Sequence, residues 1–172
     1  DTADYSTSSA GVNINLQTDT YSGGDAQGDD LDNVENIIGS AFADLLTGDG
    51  LANAIVGGGG NDTLTGMGGV DTLTGGEGND TFILDATALT DADIISDYLI
   101  ADDVVDLQAL FDVDTLGGKD IDDYVQTSGN DLQVDTAGNA TTWTTVATLD
   151  TSTGVNILYD DNDGNTDITG TV

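Results

Sequence analysis

The sequence predicts an all-β fold in which the chain winds through short parallel strands that stack into two sheets. Three observations predict it: a nine-residue repeat over residues 30–83, Gly-rich turns inside that repeat, and a large excess of acidic side chains. The 172 residues carry 33 acidic side chains against one basic side chain, so the formal net charge is −32. A chain of this length forms one domain or two very small ones.

The repeat begins at Asp30 and runs through six nonapeptides without an insertion. They read DLDNVENII, GSAFADLLT, GDGLANAIV, GGGGNDTLT, GMGGVDTLT and GGEGNDTFI. Gly opens five of the six units, and an apolar residue occupies the eighth position of all six. Units that keep one register in this way indicate a repeat architecture rather than a flexible Gly-rich linker.

Each unit combines a tight turn with a three-residue strand. Thr63-Leu64-Thr65 alternates polar, apolar and polar, which predicts a short strand with Leu64 facing inward. The Gly-rich stretch before it can turn because Gly adopts positive φ without a Cβ clash. Two units then return the chain to the same side, so the eighth positions form two internal stacks. We expect these stacks to be Leu46, Leu64 and Phe82 on one sheet, and Ile37, Ile55 and Leu73 on the other.

The sixth positions form two outer ladders in the same coils. They are Asp44, Asp62 and Asp80 on one side, and Glu35, Asn53 and Asp71 on the other. Carboxylates stacked one strand apart, ~4.8 Å, repel each other by about 3 kcal/mol at an effective dielectric near 20. A hard divalent cation between successive coils removes this repulsion, and extracellular Ca²⁺ with oxygen ligands fits best.

The pattern GGxGxDxUx, where U is a large apolar residue, is complete in residues 57–65 and 75–83, and residues 66–74 differ by Met67. On these motifs the chain resembles the RTX (repeats-in-toxin) family. The resemblance implies a right-handed parallel β-roll, a β-solenoid, that binds Ca²⁺ between turns two units apart. In that family the lower turn supplies carbonyls two and four with the sixth carboxylate, and the upper turn supplies carbonyls one and three with its own sixth carboxylate.

Carried onto this chain, the resemblance implies three ligand sets. The best-matched set is Gly58, Gly60, Asp62, Gly75, Glu77 and Asp80. The second is Ser40, Phe42, Asp44, Gly57, Gly59 and Asp62. The third is Asp49, Leu51, Asn53, Gly66, Gly68 and Asp71. The second and third sets have degenerate lower turns, and further ions at either end would bring the count to roughly three to five.

The segments that flank the repeats are expected to cap the roll. Residues 1–83 are predicted to form the β-roll with its N-terminal cap, and residues 84–172 a mostly β C-terminal cap with the secretion signal region. The run DIISDYLIADDVVDLQALF resembles the segment that closes RTX rolls, and strands are predicted in DLQVD, TTWTTVATLD, GVNILYD and DITGTV. A helical face is predicted over Lys119–Gln126. We expect most acidic residues outside the repeats to form a solvated surface.

The composition excludes several classes of function. Lys119 is the single basic residue, which argues against nucleic-acid binding and against binding to anionic membranes. The chain has no Cys, His or Arg, so disulfides, thiolate metal sites and a Ser-His-Asp triad cannot form. No apolar run approaches the ~18 to 20 residues of a spanning helix. We therefore expect a monomeric protein that is neither an enzyme nor inserted in a membrane.

The repeat and the C-terminal region together resemble the ends of proteins exported by type I secretion. This resemblance implies an extracellular protein, either secreted or held at the bacterial cell surface, whose partner during export is an ABC transporter complex. The chain begins without Met, and we expect it to be cut from a longer polypeptide, most consistent with a large adhesin. The alternative is a polysaccharide-binding RTX module of an extracellular enzyme, although such modules usually need basic residues.

Overall fold

The computed structural model describes residues 1–110, 124–135, 142–150, 154–160 and 166–169. These residues form two eight-stranded sheets, and each sheet contains a run of six parallel strands. The chain alternates between the sheets through the repeats, which is the coiled path of a parallel β-roll. The predicted all-β fold is therefore confirmed.

The first sheet contains the strands that follow alternate turns of the roll. In spatial order they are β1 (Thr2–Asp4), β4 (Asn36–Ile38), β6 (Ala54–Gly59), β8 (Thr72–Glu77), β10 (Asp93–Ile95), β14 (Thr144–Leu149), β13 (Asp131–Val134) and β12 (Val125–Ser128). The pairs from β1 to β14 are parallel, and β14, β13 and β12 are antiparallel.

The second sheet lies on the opposite side of the core. In spatial order its strands are β16 (Thr166–Thr169), β15 (Ile157–Asp160), β11 (Val104–Asp106), β9 (Thr81–Ile83), β7 (Thr63–Thr65), β5 (Leu45–Thr47), β2 (Asn13–Asn15) and β3 (Thr20–Ser22). The two end pairs, β2 with β3 and β15 with β16, are antiparallel. Two short 3-10 helices, Gly24–Ala26 and Ala86–Leu89, connect strands outside the repeats.

Two columns of apolar side chains form the core, as the repeat predicts. Neighbouring strands pair residue for residue, so each eighth-position side chain lies directly above the one 18 residues earlier. Both columns also extend beyond the repeats. One column contains Ile14, Leu46, Leu64, Phe82, Val105 and Ile157, and the other contains Ala3, Ile37, Ile55, Leu73, Ile95 and Leu149; all are buried.

The region after residue 83 continues the roll by strand pairing. β10 and β11 pair in parallel with the last repeat strands, and β14 and β15 then pair in parallel with β10 and β11. The predicted strands DLQVD, TTWTTVATLD, GVNILYD and DITGTV correspond to β13, β14, β15 and β16. Both sheets therefore run without a break from the repeats into the C-terminal strands.

The helix predicted over Lys119–Gln126 is wrong where it can be checked. Residues 111–123 lie outside the described residues, but Val125 and Gln126 belong to β12. That strand pairs with β13 across a two-residue turn in which Gly129 has φ 67°. A Gly at this position suits the turn of a tight hairpin, and the strand pairing outweighs the helical spacing of the apolar residues. No helix among the described residues is long and apolar enough to span a membrane.

The backbone of Met67 has φ 71°, in the left-handed region where the complete repeats have Gly. This conformation costs an L-residue about 1–2 kcal/mol. We predict that Met67→Gly increases the stability of the calcium-loaded chain by ~1 kcal/mol relative to Met67→Ala, which keeps the strain and removes the same side chain. Urea denaturation in saturating Ca²⁺ measures the difference, and a Gly variant less stable than the Ala variant would contradict it.

Candidate metal centres

The sixth-position side chains form hydrogen-bonded ladders along both turn edges of the roll. The backbone N–H of Asp44 donates to Oδ1 of Asp62 at 2.8 Å, and that of Asp62 donates to Oδ1 of Asp80 at 2.9 Å. On the other edge the N–H of Asn53 donates to Oδ1 of Asp71 at 2.7 Å. Each carboxylate therefore ties its own coil to the coil below through one oxygen.

The second oxygen of three of these carboxylates has no protein partner. Among the described residues, the buried side-chain oxygens without a hydrogen bond are Oδ2 of Asp62, Asp71 and Asp80. These residues are 1%, 0% and 1% exposed. A buried ionised carboxylate is costly unless it is paired or coordinates a metal. Each of these three carboxylates therefore keeps one oxygen that is available to bind a cation.

The opening Gly of each unit leaves room for this oxygen. A Cβ added to Gly57 would lie 2.3 Å from Oδ2 of Asp62 and 2.6 Å from the carbonyl oxygen of Gly75. The equivalent Cβ at Gly66 or Gly75 would lie 2.2 Å from Oδ2 of its own sixth-position Asp. None of the three has a left-handed φ, so Gly is required here for space. At Gly57, a carboxylate oxygen and a carbonyl oxygen from the next coil thus border the space that a Cβ would fill, which we call the cradle.

The complete turns also need Gly for its backbone conformation. Positions two and four of the complete units have positive φ, with values of 111° at Gly58, 106° at Gly60, 102° at Gly76 and 141° at Gly78. The unit with Met67 keeps the same geometry, since Gly69 has φ 100°. Gly58 and Gly76 still pair with each other across β6 and β8. Because a carbonyl has two lone pairs, the turned peptide units can also supply metal ligands.

The two degenerate turns are built differently. Their second and fourth positions, Ser40 with Phe42 and Asp49 with Leu51, have no positive φ. The Ser40 hydroxyl and the Asp49 carboxylate instead accept hydrogen bonds from the N–H two residues later, at 3.0 and 2.8 Å. The side chains of Phe42 and Leu51 are exposed, so their contribution to a metal site is limited to the backbone.

In these degenerate turns the sixth-position oxygen is already satisfied by the protein. The N–H of Ser40 donates to Oδ2 of Asp44, and the N–H of Asp49 donates to Oδ1 of Asn53 at 2.8 Å. The complete units have no such bond to Oδ2 of Asp62 or Asp80. The set Gly58, Gly60, Asp62, Gly75, Glu77 and Asp80 is therefore the one whose two carboxylates both keep an unpartnered oxygen.

Outside the strand ladders, three backbone carbonyls of the predicted ligand sets accept a hydrogen bond from the neighbouring coil. Ser40 accepts from Gly59 at 3.1 Å, Asp49 from the Gly68 N–H at 3.0 Å, and Glu77 from Gly60 at 2.8 Å. A carbonyl has two lone pairs, so each can still ligate an ion. No group of three or more carboxylates that could hold a metal occurs within the described ranges. The donor set is thus at most two carboxylates with several carbonyls, which suits Ca²⁺.

Two further ladder residues lie outside the repeats, and the expectation of a solvated surface is wrong for them. Asp93 and Asp103 are 3% and 4% exposed. Their Oδ1 atoms accept from the N–H of Asp71 and of Asp80, both at 3.0 Å. They were missed because the chain takes 22 and 23 residues to return instead of 18. The sequence does contain a signal for both ladder residues. Asp93 lies two residues before the inward-facing Ile95, and Asp103 lies two residues before the inward-facing Val105, as in the repeats.

Burial raises the pKa values of these carboxyl groups. The pKa of Asp62 is raised to about 7, mainly by desolvation and further by the charges of Asp44 and Asp80. The pKa of Asp71 is raised to about 6, again mainly by desolvation. Burial also raises the pKa of Asp80. The ladder thus disfavours its own ionised form at neutral pH unless a cation is bound.

We predict that Gly57→Ala raises the Ca²⁺ concentration at the folding midpoint about tenfold or more, because the new Cβ overlaps the Asp62 and Gly75 oxygens. Overpacking costs about 1–3 kcal/mol, and 1.4 kcal/mol corresponds to tenfold. Gly50→Ala is the matched control, since its Cβ meets nothing within 4 Å. Circular dichroism during a Ca²⁺ titration measures both midpoints; equal midpoints would show that the cradle is not used.

Without calcium, the stability of the roll is predicted to fall as pH rises. The folded pKa values of Asp62 and Asp71 are raised to about 7 and about 6 from 3.8, so the folded state binds protons more tightly than the unfolded state. This stabilisation is complete below about pH 4 and is lost as pH passes through about 6 to 7. Urea midpoints in chelator across this range test the sign, and a midpoint that increases with pH would contradict it.

Comparison with known proteins places the repeats in a family. Residues 47–82 match the family model described as the RTX calcium-binding nonapeptide repeat (4 copies). No curated protein matches the chain. Among solved structures, the C-terminal domain (RV) of MpAFP aligns with 23% identity over 74% of this chain and 98% of that chain, with a TM-score of 0.40. Residues 47–82 therefore contain RTX calcium-binding nonapeptide repeats, and the strands within them belong to the parallel coils of a β-roll.

Proposed function

We propose that this chain is a calcium-folded module that carries the type I secretion signal of a large secreted or surface adhesin. The observation that supports it most is the set of three buried, unpartnered carboxylate oxygens in a chain of net charge −32. A coiled structure of this kind is poorly stable as a bare polyanion and becomes stable when cations bind between its coils.

Calcium concentration would then decide where the chain folds. Extracellular calcium modules bind with dissociation constants of ~10⁻⁴ to 10⁻³ M, well above the free Ca²⁺ of a cytosol. Inside the cell the ladders would lack ions, and the unfolded chain could pass through a transporter. Outside, ions that bind the folded form alone would shift the equilibrium toward the roll by mass action.

The C-terminal strands are suited to act as a template for this folding. β14 and β15 pair in parallel with β10 and β11, so they extend both sheets. The Asn156 N–H donates to the Tyr98 hydroxyl at 2.7 Å, and its side-chain amide donates to the carbonyl of Asp103 at 3.2 Å. These bonds connect the C-terminal strands to a ladder residue. In type I secretion the C-terminal end leaves the cell first, so it would provide a preformed surface for the repeats that follow.

We predict that Ca²⁺ increases the strand signal of the full chain in far-UV circular dichroism far more than equal Mg²⁺ does. The turns offer many carbonyl oxygens in a flexible arrangement, which suits Ca²⁺ better than the strict octahedron of Mg²⁺. Chelator should reverse the change. A chain with the same strand signal in excess chelator would sink the folding proposal.

We predict that a passenger protein fused to residues 84–172 is exported by cells that carry a type I secretion system. Deletion of residues 166–172 should abolish export, while Asp62→Asn in a fusion that retains the repeats should leave it intact. The amount of passenger in the medium measures both. Equal export after the C-terminal deletion would rule out a signal in that segment without affecting the calcium proposal.

A further inference from the structure

The two turn edges of the roll carry different side chains at the fifth position of the repeat. On the edge that contains Asp80, the Asn79 N–H donates to the side-chain carbonyl of Asn61 at 3.2 Å. On the edge that contains Asp71, the fifth positions are all apolar: Val34, Ala52 and Val70. One edge thus presents hydrogen-bonded amides, and the other presents a stripe of apolar side chains.

Leu51 adds to this apolar stripe at the fourth position of its turn, and its side chain is open to solvent. Leu51 is 62% exposed, and Val70, one coil above, is 51% exposed. The backbone of Gly69 packs on that of Leu51, since a Cβ at Gly69 would lie 2.7 Å from the Leu51 carbonyl carbon. Gly69 contributes no side chain, so the coil above leaves Leu51 uncovered. A single exposed Leu is ordinary, whereas adjacent exposed apolar side chains point to a contact surface.

A groove lies where this stripe reaches the N-terminal end of the roll. It has a volume of about 230 Å³, and its apolar lining consists of Leu16, Leu31, Val34 and Leu51. Leu31 and Val34 also pack against the core, which fixes the floor of the groove. Clefts that hold drug-sized ligands measure ~300–1,000 Å³. The groove therefore has room for one long side chain rather than for a whole ligand of that size.

Four acidic side chains line the same groove: Asp19, Asp32, Glu35 and Asp49. No basic side chain among the described residues neutralises them, because Lys119 is the only one in the sequence and lies outside those residues. The terminal ammonium group of Asp1 contacts Oε2 of Glu35, so an ammonium group fits against this carboxylate. The groove thus combines apolar walls with a rim that attracts cations.

The groove is separate from the calcium positions between the coils. The side-chain amide of Asn53 donates to the Glu35 carbonyl at 2.8 Å and to Oδ1 of Asp49 at 3.3 Å. An N–H donor therefore occupies the inner side of the turns that border the groove, where an ion would otherwise meet the Glu35 carbonyl. No group of three or more acidic side chains that could hold a metal ion occurs in the described part of the chain. The groove therefore suits a cation on a flexible stem better than a bare metal ion.

We propose that this groove, with the apolar stripe beside it, binds a basic segment of a partner protein. A lysine side chain of the partner enters the groove, and a neighbouring apolar residue of the partner packs on Leu51 and Val70. A lysine has an apolar stem and an ammonium head, so the stem contacts Leu31 and Val34 while the head pairs with the acidic rim. The site goes beyond the proposed function, because neither calcium-dependent folding nor export needs a groove on the outside of the roll.

Apolar contact distinguishes this groove from the rest of the acidic surface. A chain of net charge −32 attracts a cationic peptide over its whole surface. Salt weakens that attraction, because the Debye length is about 8 Å at physiological ionic strength. Contact with Leu51 and Val70 is not screened in this way. A preference for peptides that carry apolar residues beside their lysines is therefore the property that marks binding in the groove.

The test compares two fluorescent peptides in saturating Ca²⁺ at physiological ionic strength. One peptide alternates lysine with leucine, and the other has serine in place of each leucine. Fluorescence anisotropy should show that the parent chain binds the leucine peptide several-fold more tightly. Leu51→Ser should remove this preference, while Leu99→Ser should keep it, since Leu99 is 55% exposed near the opposite edge. A parent chain without the preference, or a preference that Leu51→Ser leaves intact, would overturn the proposal.

Charge variants test the acidic rim, and they replace Leu51→Ser if that variant gains no strand signal in Ca²⁺. Asp32→Asn should weaken binding of the leucine peptide several-fold. Asp102→Asn, an equal charge change at an exposed residue of the other edge, should leave the affinity unchanged. Equal affinities for the two variants would overturn the proposal.

Spermidine separates a protein partner from a small organic cation, since it carries amines without an apolar anchor. It should displace the leucine peptide only at far higher concentration than the unlabelled peptide does. Displacement at equal concentration would show a site for small cations and would also overturn the proposal. Every measurement uses chain that calcium has folded and none involves export, so the result is independent of the secretion proposal.

Discussion

The roll depends on carboxylates that are buried at the start of its strands. Each ladder Asp between the ends uses one oxygen to accept the backbone N–H of the residue one coil below, and this bond holds adjacent coils in register. The apolar column beside it imposes the same register, since Leu64 stacks between Leu46 and Phe82. The second oxygen is left for a cation. Register and metal binding therefore come from the same side chains.

Gly serves two separate purposes in this arrangement. At the opening position of a unit, as in Gly57, the backbone is ordinary and the missing Cβ makes room for a carboxylate oxygen. At the second and fourth positions, as in Gly58 and Gly60, the missing Cβ permits positive φ. The degenerate turns lose the second property but keep the first, since Gly39 and Gly48 still face Oδ2 of Asp44 and Oδ1 of Asn53.

The number of protein donors that each ladder carboxylate has changes along the length of the roll. At its N-terminal end Asp44 has donors for both oxygens, from Val12 at 2.6 Å and from Ser40. Near its C-terminal end Asp103 is satisfied by two backbone N–H groups. Between them Asp62, Asp71 and Asp80 each keep an oxygen without a donor. The ends are thus satisfied by the protein itself, and the middle requires ions, so we expect cation binding to control the middle coils most strongly.

The period of nine and the choice of Gly, Asp and one large apolar residue were enough to determine the coils, both apolar columns and the ladders within residues 30–83. They were enough because each unit has the same local geometry and the units stack at a constant strand spacing.

Tertiary structure alone decided that Asp93 and Asp103 join the ladders. Insertions in the turns move these residues away from the 18-residue spacing in the sequence, but strand pairing still brings each of them into line with its ladder. It also placed Val125 and Gln126 in a strand, because hydrogen bonds to β13 outweigh a local helical pattern. Which carboxylate oxygens lack a donor was likewise decided by the folded backbone, because φ at the second position of a turn determines whether that turn's own N–H reaches the carboxylate.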